Sequence, residues 1–160
     1  MATILKNLSA FSPKNLFNIS SKKIAIVVAE WNQHITEALY KGAEEALLQY
    51  KIHKSHILRK DVPGSFELPL AAQWMAQKPE VDAVLCLGCI IQGETRHFDF
   101  ISDAVAHGIM TVGLTSKKPI IFGVLTTQTE EQAMERAGGK HGNKGTEAAI
   151  TAIKMLNLIF

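Results

Sequence analysis

Cysteine is scarce in this sequence, with two residues in 160. A fold held by disulfides has more cysteines in a shorter chain. The two form a Cys-x-x-Cys, Cys86-Leu-Gly-Cys89, inside an apolar run whose alternate residues would face opposite sides of a sheet. No second Cys pair and no paired histidines complete a zinc site. We therefore predict no redox or metal role: Cys86 is a core residue and Cys89 lines a pocket.

Long apolar runs and charge of one sign are also missing. No run approaches the roughly 18 residues of a membrane span, and MATILKNLSAFSPKNLFNISSKK lacks the continuous apolar stretch of a secretion signal. Lys and Arg number 17 and Asp and Glu 15, so the formal net charge is only +2. The basic residues are scattered and form no stripe for nucleic acid. We expect a cytoplasmic protein that binds neither membrane nor nucleic acid.

Alternating strand and helix patterns run through most of the chain. Extended segments are predicted at Ile24–Ala29, His53–Asp61, Ala83–Ile91 and Pro119–Thr127. Helices are predicted at His34–Tyr50, Phe66–Gln77, His97–Ser116, Thr129–Ala137 and Gly145–Ile159. This order indicates an α/β fold: a central four-stranded parallel sheet in a three-layer α/β/α sandwich of flavodoxin-like layout. Residues 21–160 would form one domain, preceded by an irregular arm, residues 1–20.

Four residues are predicted to cap helix N-termini. Asn32 and Ser65 precede the first two helices, Thr129 opens a capping box with Gln132, and Asn143 precedes the last helix.

Polar residues follow the ends of the predicted strands, most densely in LGCIIQGETRHFDF. Ligands bind beyond the carboxyl ends of parallel strands. We therefore expect one site to collect Trp31–Asn32, Pro63–Glu67, Gly93–His97 and Thr126–Thr127.

Each candidate residue in these segments has a functional and a structural interpretation. Glu94 and Thr95 stand at a helix start that suits a phosphate, or they cap their own helix. His97 is a proton shuttle or a polar surface residue. Glu67 accepts hydrogen bonds from ligand hydroxyls or favours the helix dipole.

Residues later in the chain also have two interpretations each. Arg136, Lys140 and Lys144 hold a phosphate or are solvated charges. Trp31 and Phe122 stack on a planar heterocycle or pack in the core. The loop GGKHGNKG does not have P-loop spacing, and the sequence has no GxGxxG.

Five segments together resemble one family. AEWN, VPGSFELPLAA, LGCIIQGETRHFDF, IIFGVLTTQTEEQAMERAG and GNKGTEAA are similar, in order and spacing, to the 6,7-dimethyl-8-ribityllumazine synthases of riboflavin biosynthesis. The resemblance implies a transferase that condenses 5-amino-6-ribitylaminouracil with 3,4-dihydroxy-2-butanone 4-phosphate. It implies no cofactor and no metal.

The resemblance also implies a role for individual residues. His97 is the general acid and base. The ribitylaminouracil site comprises Trp31, Ser65, Phe66, Glu67, Cys89, Ile90, Ile91, Phe122 and Lys144. The butanone phosphate site comprises Glu94, Thr95 and Arg136. A neighbouring subunit would supply Phe122, Arg136 and Lys144. Trp31, Cys89 and Gln92 depart from the commoner Phe, Thr and Arg of the family.

Assembly follows from the same resemblance. It implies a homopentamer with sites between neighbours, and the compact loop AGGKHGNKG favours twelve pentamers in a 60-subunit icosahedral shell. The arm would add to a neighbour's sheet, and riboflavin synthase is a further candidate partner. Two alternatives stay open: a flavin or lumazine carrier without catalysis, and a purely structural shell protein.

Overall fold

The computed structural model describes residues 19–158. Its centre is a parallel sheet with the strand order β2-β1-β3-β4. The strands are β1 Ile24–Ala29, β2 Ile57–Val62, β3 Ala83–Ile91 and β4 Ile120–Thr127. β1 is buried along its whole length, as its unbroken apolar sequence predicts for a strand covered on both faces. The predicted α/β/α architecture is confirmed.

Helices cover both faces of the sheet. In chain order they are α1 Gln33–Gln49, α2 Leu68–Ala76, α3 His97–Ser116, α4 Glu130–Met134 and α5 Lys144–Leu158. Helices α1 and α5 pack on one face and α2 and α3 on the other. A small hairpin, β5 Ala137–Gly139 and β6 Gly142–Asn143, precedes α5.

Alternate residues of the strands belong to two separate hydrophobic cores, one on each face of the sheet. On β1, Ile24 packs towards α1 and α5, whereas Ala25 packs towards α2 and α3. Cys86 and Cys89 likewise fall in different cores, as their spacing on a strand predicts. The two thiols therefore lie on opposite sides of the sheet and do not form a redox pair.

Two of the four predicted caps are wrong. Asn32 precedes α1 but has a left-handed backbone, φ 60°, and its side chain does not bond to the helix. Ser65 lies inside a 3-10 turn, Ser65–Glu67, and its hydroxyl makes no hydrogen bond within residues 19–158. By contrast, Thr129 accepts a hydrogen bond from the Gln132 amide, and Asn143 accepts two from the first turn of α5.

Some boundaries also differ from the predictions. The first residues of the second extended segment form a 3-10 turn, Lys54–His56. Phe66 belongs to the turn before α2 rather than to the helix. Helix α4 ends at Met134 because the residues that follow pair in the hairpin.

Helices α1 and α5 approach closely through two glycines. A Cβ at Gly145 would lie 1.8 Å from the Leu39 carbonyl oxygen, and one at Gly42 would lie 2.4 Å from the Asn143 side chain. Only glycine permits this separation. The contact fixes the start of α5, and with it Lys144, relative to the sheet.

The predicted arm, residues 1–20, lies largely outside the described residues, and its role stays a prediction. Ile19, the first described residue, is buried in the core that includes α1 and α5. Among residues 19–158, no helix is long and apolar enough to cross a membrane.

Candidate active site

The strand order locates a site before any side chain is considered. The first crossover runs from β1 to β2 on one side of it, and the next runs back from β2 to β3 on the other side of β1. The switch point therefore lies between β1 and β3. In doubly wound sheets ligands bind in the crevice beyond the strand ends at this point. Here Trp31 follows β1, and the loop 92–96 follows β3.

A cavity of about 560 Å³ opens at this switch point. Its lining includes nine of the residues predicted to form the site: Trp31, Ser65, Phe66, Glu67, Cys89, Ile90, Ile91, Thr95 and His97. Residues 31–32, 63–67 and 89–101, which are distant in sequence, therefore meet there, as the strand-end argument predicts for three of its four segments. Thr126 and Thr127, the fourth predicted segment, are not among the lining residues. The volume suits a small-molecule ligand.

The loop after β1 forms one wall of this cavity. The backbone amides of Glu30 and Trp31 donate to the carbonyls of Val62 and Pro63, at 2.8 and 3.1 Å. The loop thus continues the pairing of β1 with the end of β2. The Trp31 side chain remains 72% exposed, so a large aromatic face is available to a planar ligand.

Ser65 packs beneath the cavity against the sheet. It is buried, and a Cβ added at Gly88 would lie 2.6 Å from its Oγ. Only a glycine at position 88 allows the 3-10 turn to sit this close to β3. The next residues of the turn, Phe66 and Glu67, are exposed and line the cavity.

The cavity's polar residues are few. His97 is the first residue of α3, and its amide donates to Thr95 Oγ1 at 3.4 Å. This contact matches the capping interpretation of Thr95 and leaves the exposed His97 ring beside the cavity. Glu67 is the one carboxylate among the lining residues that the structure describes, and no Lys or Arg is among them. A phosphate in this cavity would need a cation from elsewhere.

The remaining predicted residues lie outside this cavity. Phe122 and Lys144 line a separate, more apolar groove of about 700 Å³ along β4 and α5. Lys144 Nζ is paired with Glu147 at 2.8 Å. Arg136 lines neither cavity and donates to the Gln132 carbonyl at 2.9 Å. Glu94 is exposed and does not line the cavity either.

The cysteines lie in poor positions for nucleophilic chemistry. Burial raises the pKa of Cys86 to about 12. Burial also raises the pKa of Cys89 to about 12, with a smaller contribution from the charge of Glu130. Thiolates are therefore rare at neutral pH. Cys89 contributes packing and backbone to the cavity wall.

The predictions missed two cavity residues. Phe98 and Ile101 lie on the first turns of α3, where their apolar character resembles core spacing and gives no signal of a ligand. Asn32 lines the cavity beside Trp31, as its strand-end position predicts, but instead of capping α1 its Nδ2 donates to the Cys89 carbonyl at 3.0 Å.

Residues 19–158 contain no cluster of three or more His, Cys, Asp or Glu side chains that could hold a metal. Fold and cavity together define a class: a flavodoxin-like α/β protein with a small-molecule site at its switch point.

Comparison with known proteins identifies the family. The model of the 6,7-dimethyl-8-ribityllumazine synthase family matches residues 21–159, and the chain belongs to this family. It is 63% identical over 156 residues to the 6,7-dimethyl-8-ribityllumazine synthase of Cytophaga hutchinsonii, covering 98% of both chains. It is 49% identical to the enzyme of the same name from Porphyromonas gingivalis, covering 99% of this chain and 98% of the relative. The Thermus thermophilus enzyme is 49% identical over 150 residues, with 92% and 96% covered.

Proposed function

We propose that the chain is a transferase that makes 6,7-dimethyl-8-ribityllumazine from 5-amino-6-ribitylaminouracil and 3,4-dihydroxy-2-butanone 4-phosphate. The observation that carries the proposal is the cavity at the switch point. It combines an exposed aromatic face, a carboxylate and an imidazole in one space. Membership of the family supplies the identity of the substrates.

The chemistry needs proton transfers and a leaving phosphate. The 5-amino group of the uracil adds to the ketone, and water leaves to give an imine. Loss of a proton and cleavage of the C–O bond to phosphate give an enol, which tautomerises to a ketone. The ribitylamino nitrogen attacks this carbonyl, and a second water leaves as the ring closes.

The cavity residues are assigned to these steps by position. Trp31 stacks on the pyrimidine, and Glu67 accepts hydrogen bonds from the ribityl hydroxyls. Ser65, Phe66 and the strand end 89–91 enclose the same substrate. His97 carries protons, a role that histidine side chains often have in enzymes. Holding two substrates together removes much of the entropic barrier.

A neighbouring subunit completes the site. The cavity has no cation among its described lining residues, whereas the phosphate substrate is an anion. We assign Arg136 of an adjacent copy to the phosphate, beside Glu94 and Thr95. Phe122 and Lys144 of that copy would face the uracil. These residues lie away from the cavity of their own chain, which is the arrangement that a site between copies requires.

The assembly that follows is a pentamer with five equivalent sites, and twelve pentamers form the shell. A head-to-tail contact between two different surfaces closes into a ring of this kind. Strand β2 lies at the edge of the described sheet, and the arm of a neighbour would protect that edge. We place the enzyme in the cytoplasm, with riboflavin synthase as its partner.

The test is to mix the purified protein with the two substrates and to follow lumazine absorbance and fluorescence. We expect product well above the uncatalysed background. Arg136→Ala should abolish most of the rate and raise the KM for the butanone phosphate. His97→Ala should lower kcat by roughly 100-fold or more.

A matched control is Lys140→Ala, which removes a nearby cation that is paired with Glu135 at 2.7 Å. It should leave the rate unchanged. Wild-type protein that forms no product but binds lumazine or riboflavin tightly would instead identify a carrier, and the proposal would be wrong.

A further inference from the structure

The Asn32 side chain joins two walls of the cavity. β1 and β3 pair in register from Ile24 with Ala83 to Val28 with Leu87. The next β3 carbonyl on that side belongs to Cys89, and β1 has left the ladder at this point. Asn32 Nδ2 donates to this carbonyl at 3.0 Å. A side-chain amide therefore continues the sheet's hydrogen bonding one step beyond the end of β1.

The backbone of Asn32 is specialised for this contact. Its φ of 60° and ψ of 44° are left-handed, a region that asparagine tolerates better than most residues. The Asn32 carbonyl accepts the amides of Ile35 and Thr36, at 2.9 and 3.1 Å, and so starts α1. The left-handed turn directs the side chain across to β3 while the preceding residues remain bonded to β2.

We infer that Asn32 is a positioning residue, which sets the spacing between the Trp31 wall and the strand-end wall formed by residues 89–91. The inference rests on the proposed function, in which these two walls enclose the ribitylaminouracil. Without the amide, the buried carbonyl of Cys89 loses its partner and the two walls are held only through their own strands. The substrate and the lumazine product should both bind more weakly.

Three variants separate the hydrogen bond from the backbone. Asn32→Asp keeps the size and the tolerance of the left-handed region but replaces the donor by an oxygen that repels the Cys89 carbonyl. Asn32→Gly keeps only the backbone freedom. Lys51→Gly is the matched control, since Lys51 is also left-handed, with φ 67°, and is not among the cavity residues.

The primary measurement is the Kd of 6,7-dimethyl-8-ribityllumazine, read from its fluorescence, because it does not depend on catalysis. Loss of one hydrogen bond predicts a Kd raised about fivefold for Asn32→Gly and more for Asn32→Asp. The KM for ribitylaminouracil should rise with it, while the KM for the butanone phosphate changes less than twofold. Lys51→Gly should match the wild type.

The outcomes distinguish a failure of the inference about Asn32 from a failure of the proposed function. Wild-type Kd and KM values in a folded, fully assembled Asn32→Asp would overturn the inference and leave the proposed function intact. A wild type that binds lumazine without making it would overturn the proposed function, and the Kd series would still decide the role of Asn32. Equal weakening of both substrates together with a lower melting temperature would indicate a purely structural role and also overturn the inference.

Discussion

The close contact between Gly88 and Ser65 predicts how much one added methyl group would destabilise the fold. In Gly88→Ala the new Cβ would lie 2.6 Å from Ser65 Oγ and 3.0 Å from Leu68 Cδ1. The Leu68 methyl can move a few tenths of an ångström, but the Ser65 hydroxyl is buried under the cavity. Overpacking of this kind costs about 2 kcal/mol of unfolding free energy. Alanine has less conformational entropy than glycine in the unfolded chain, which offsets about 0.5 kcal/mol of this cost. We therefore expect the unfolding free energy to fall by about 1.5 kcal/mol.

Removing the hydroxyl should reverse most of this loss. Ser65 Oγ is buried and has no hydrogen-bond partner among residues 19–158, so Ser65→Ala alone should raise the unfolding free energy by up to about 1 kcal/mol. In the Ser65→Ala background, the Cβ added by Gly88→Ala contacts only Leu68 Cδ1, at 3.0 Å, and the Cβ of residue 65, at 3.4 Å. The two substitutions should therefore couple favourably by about 1 kcal/mol.

The assay is urea unfolding of the four proteins of this cycle, followed by far-UV circular dichroism. All four are measured at one protomer concentration, because assembly contributes to apparent stability. Gly93→Ala is the control, since a Cβ there meets nothing within 4 Å. Additive effects of the two substitutions, or a Ser65→Ala variant less stable than the wild type, would refute the packing described for this turn.

Three further predictions concern the rest of the fold. Gly145→Ala places a Cβ 1.8 Å from the Leu39 carbonyl oxygen and should lower the unfolding free energy by more than about 3 kcal/mol; thermal unfolding within a few degrees of the wild type would contradict the α1–α5 contact. The hydrogen bond from Arg59 lowers the pKa of Glu37 below 4.5, so this pair stabilises the fold above about that pH and its contribution is lost as the pH falls through the lowered pKa. The stability gap between wild type and Glu37→Gln should therefore narrow on acidification, and a gap independent of pH in urea titrations would contradict this. Because the pKa of both thiols is about 12, Ellman's reagent should react with them only after unfolding, and rapid labelling of the native protein would show that they are accessible.

The fold was largely predictable because its signals are local. A strand buried on both faces needs an unbroken apolar run, as in Ile24–Ala29, and an amphipathic helix needs apolar residues at helical spacing. The strand order, and hence the switch point, is not a local property. It emerged only from the pairing of β1 with β2 and β3.

The site was predicted in part, because the ends of strands are also local signals in the sequence. Strand ends identified the residues that share the cavity, including Trp31 and His97. The sequence pattern could not show that Asn32 bonds across the sheet rather than along its helix, since that depends on a left-handed backbone. A contact between copies leaves no periodicity in either chain, so the assignment of Arg136 to a neighbouring subunit comes from the family resemblance and stays a prediction.

The central claim is that one copy's cavity and a neighbour's Arg136 together form the site. The most direct test is to unfold and reassemble an equal mixture of His97→Ala and Arg136→Ala protein and to measure lumazine formation. If the site is shared, about a quarter of the contacts between copies carry both intact residues. The mixture should then reach about a quarter of the wild-type rate, above either variant alone. A rate no higher than the mean of the two separate variants would contradict the account and place both residues on a single chain's site.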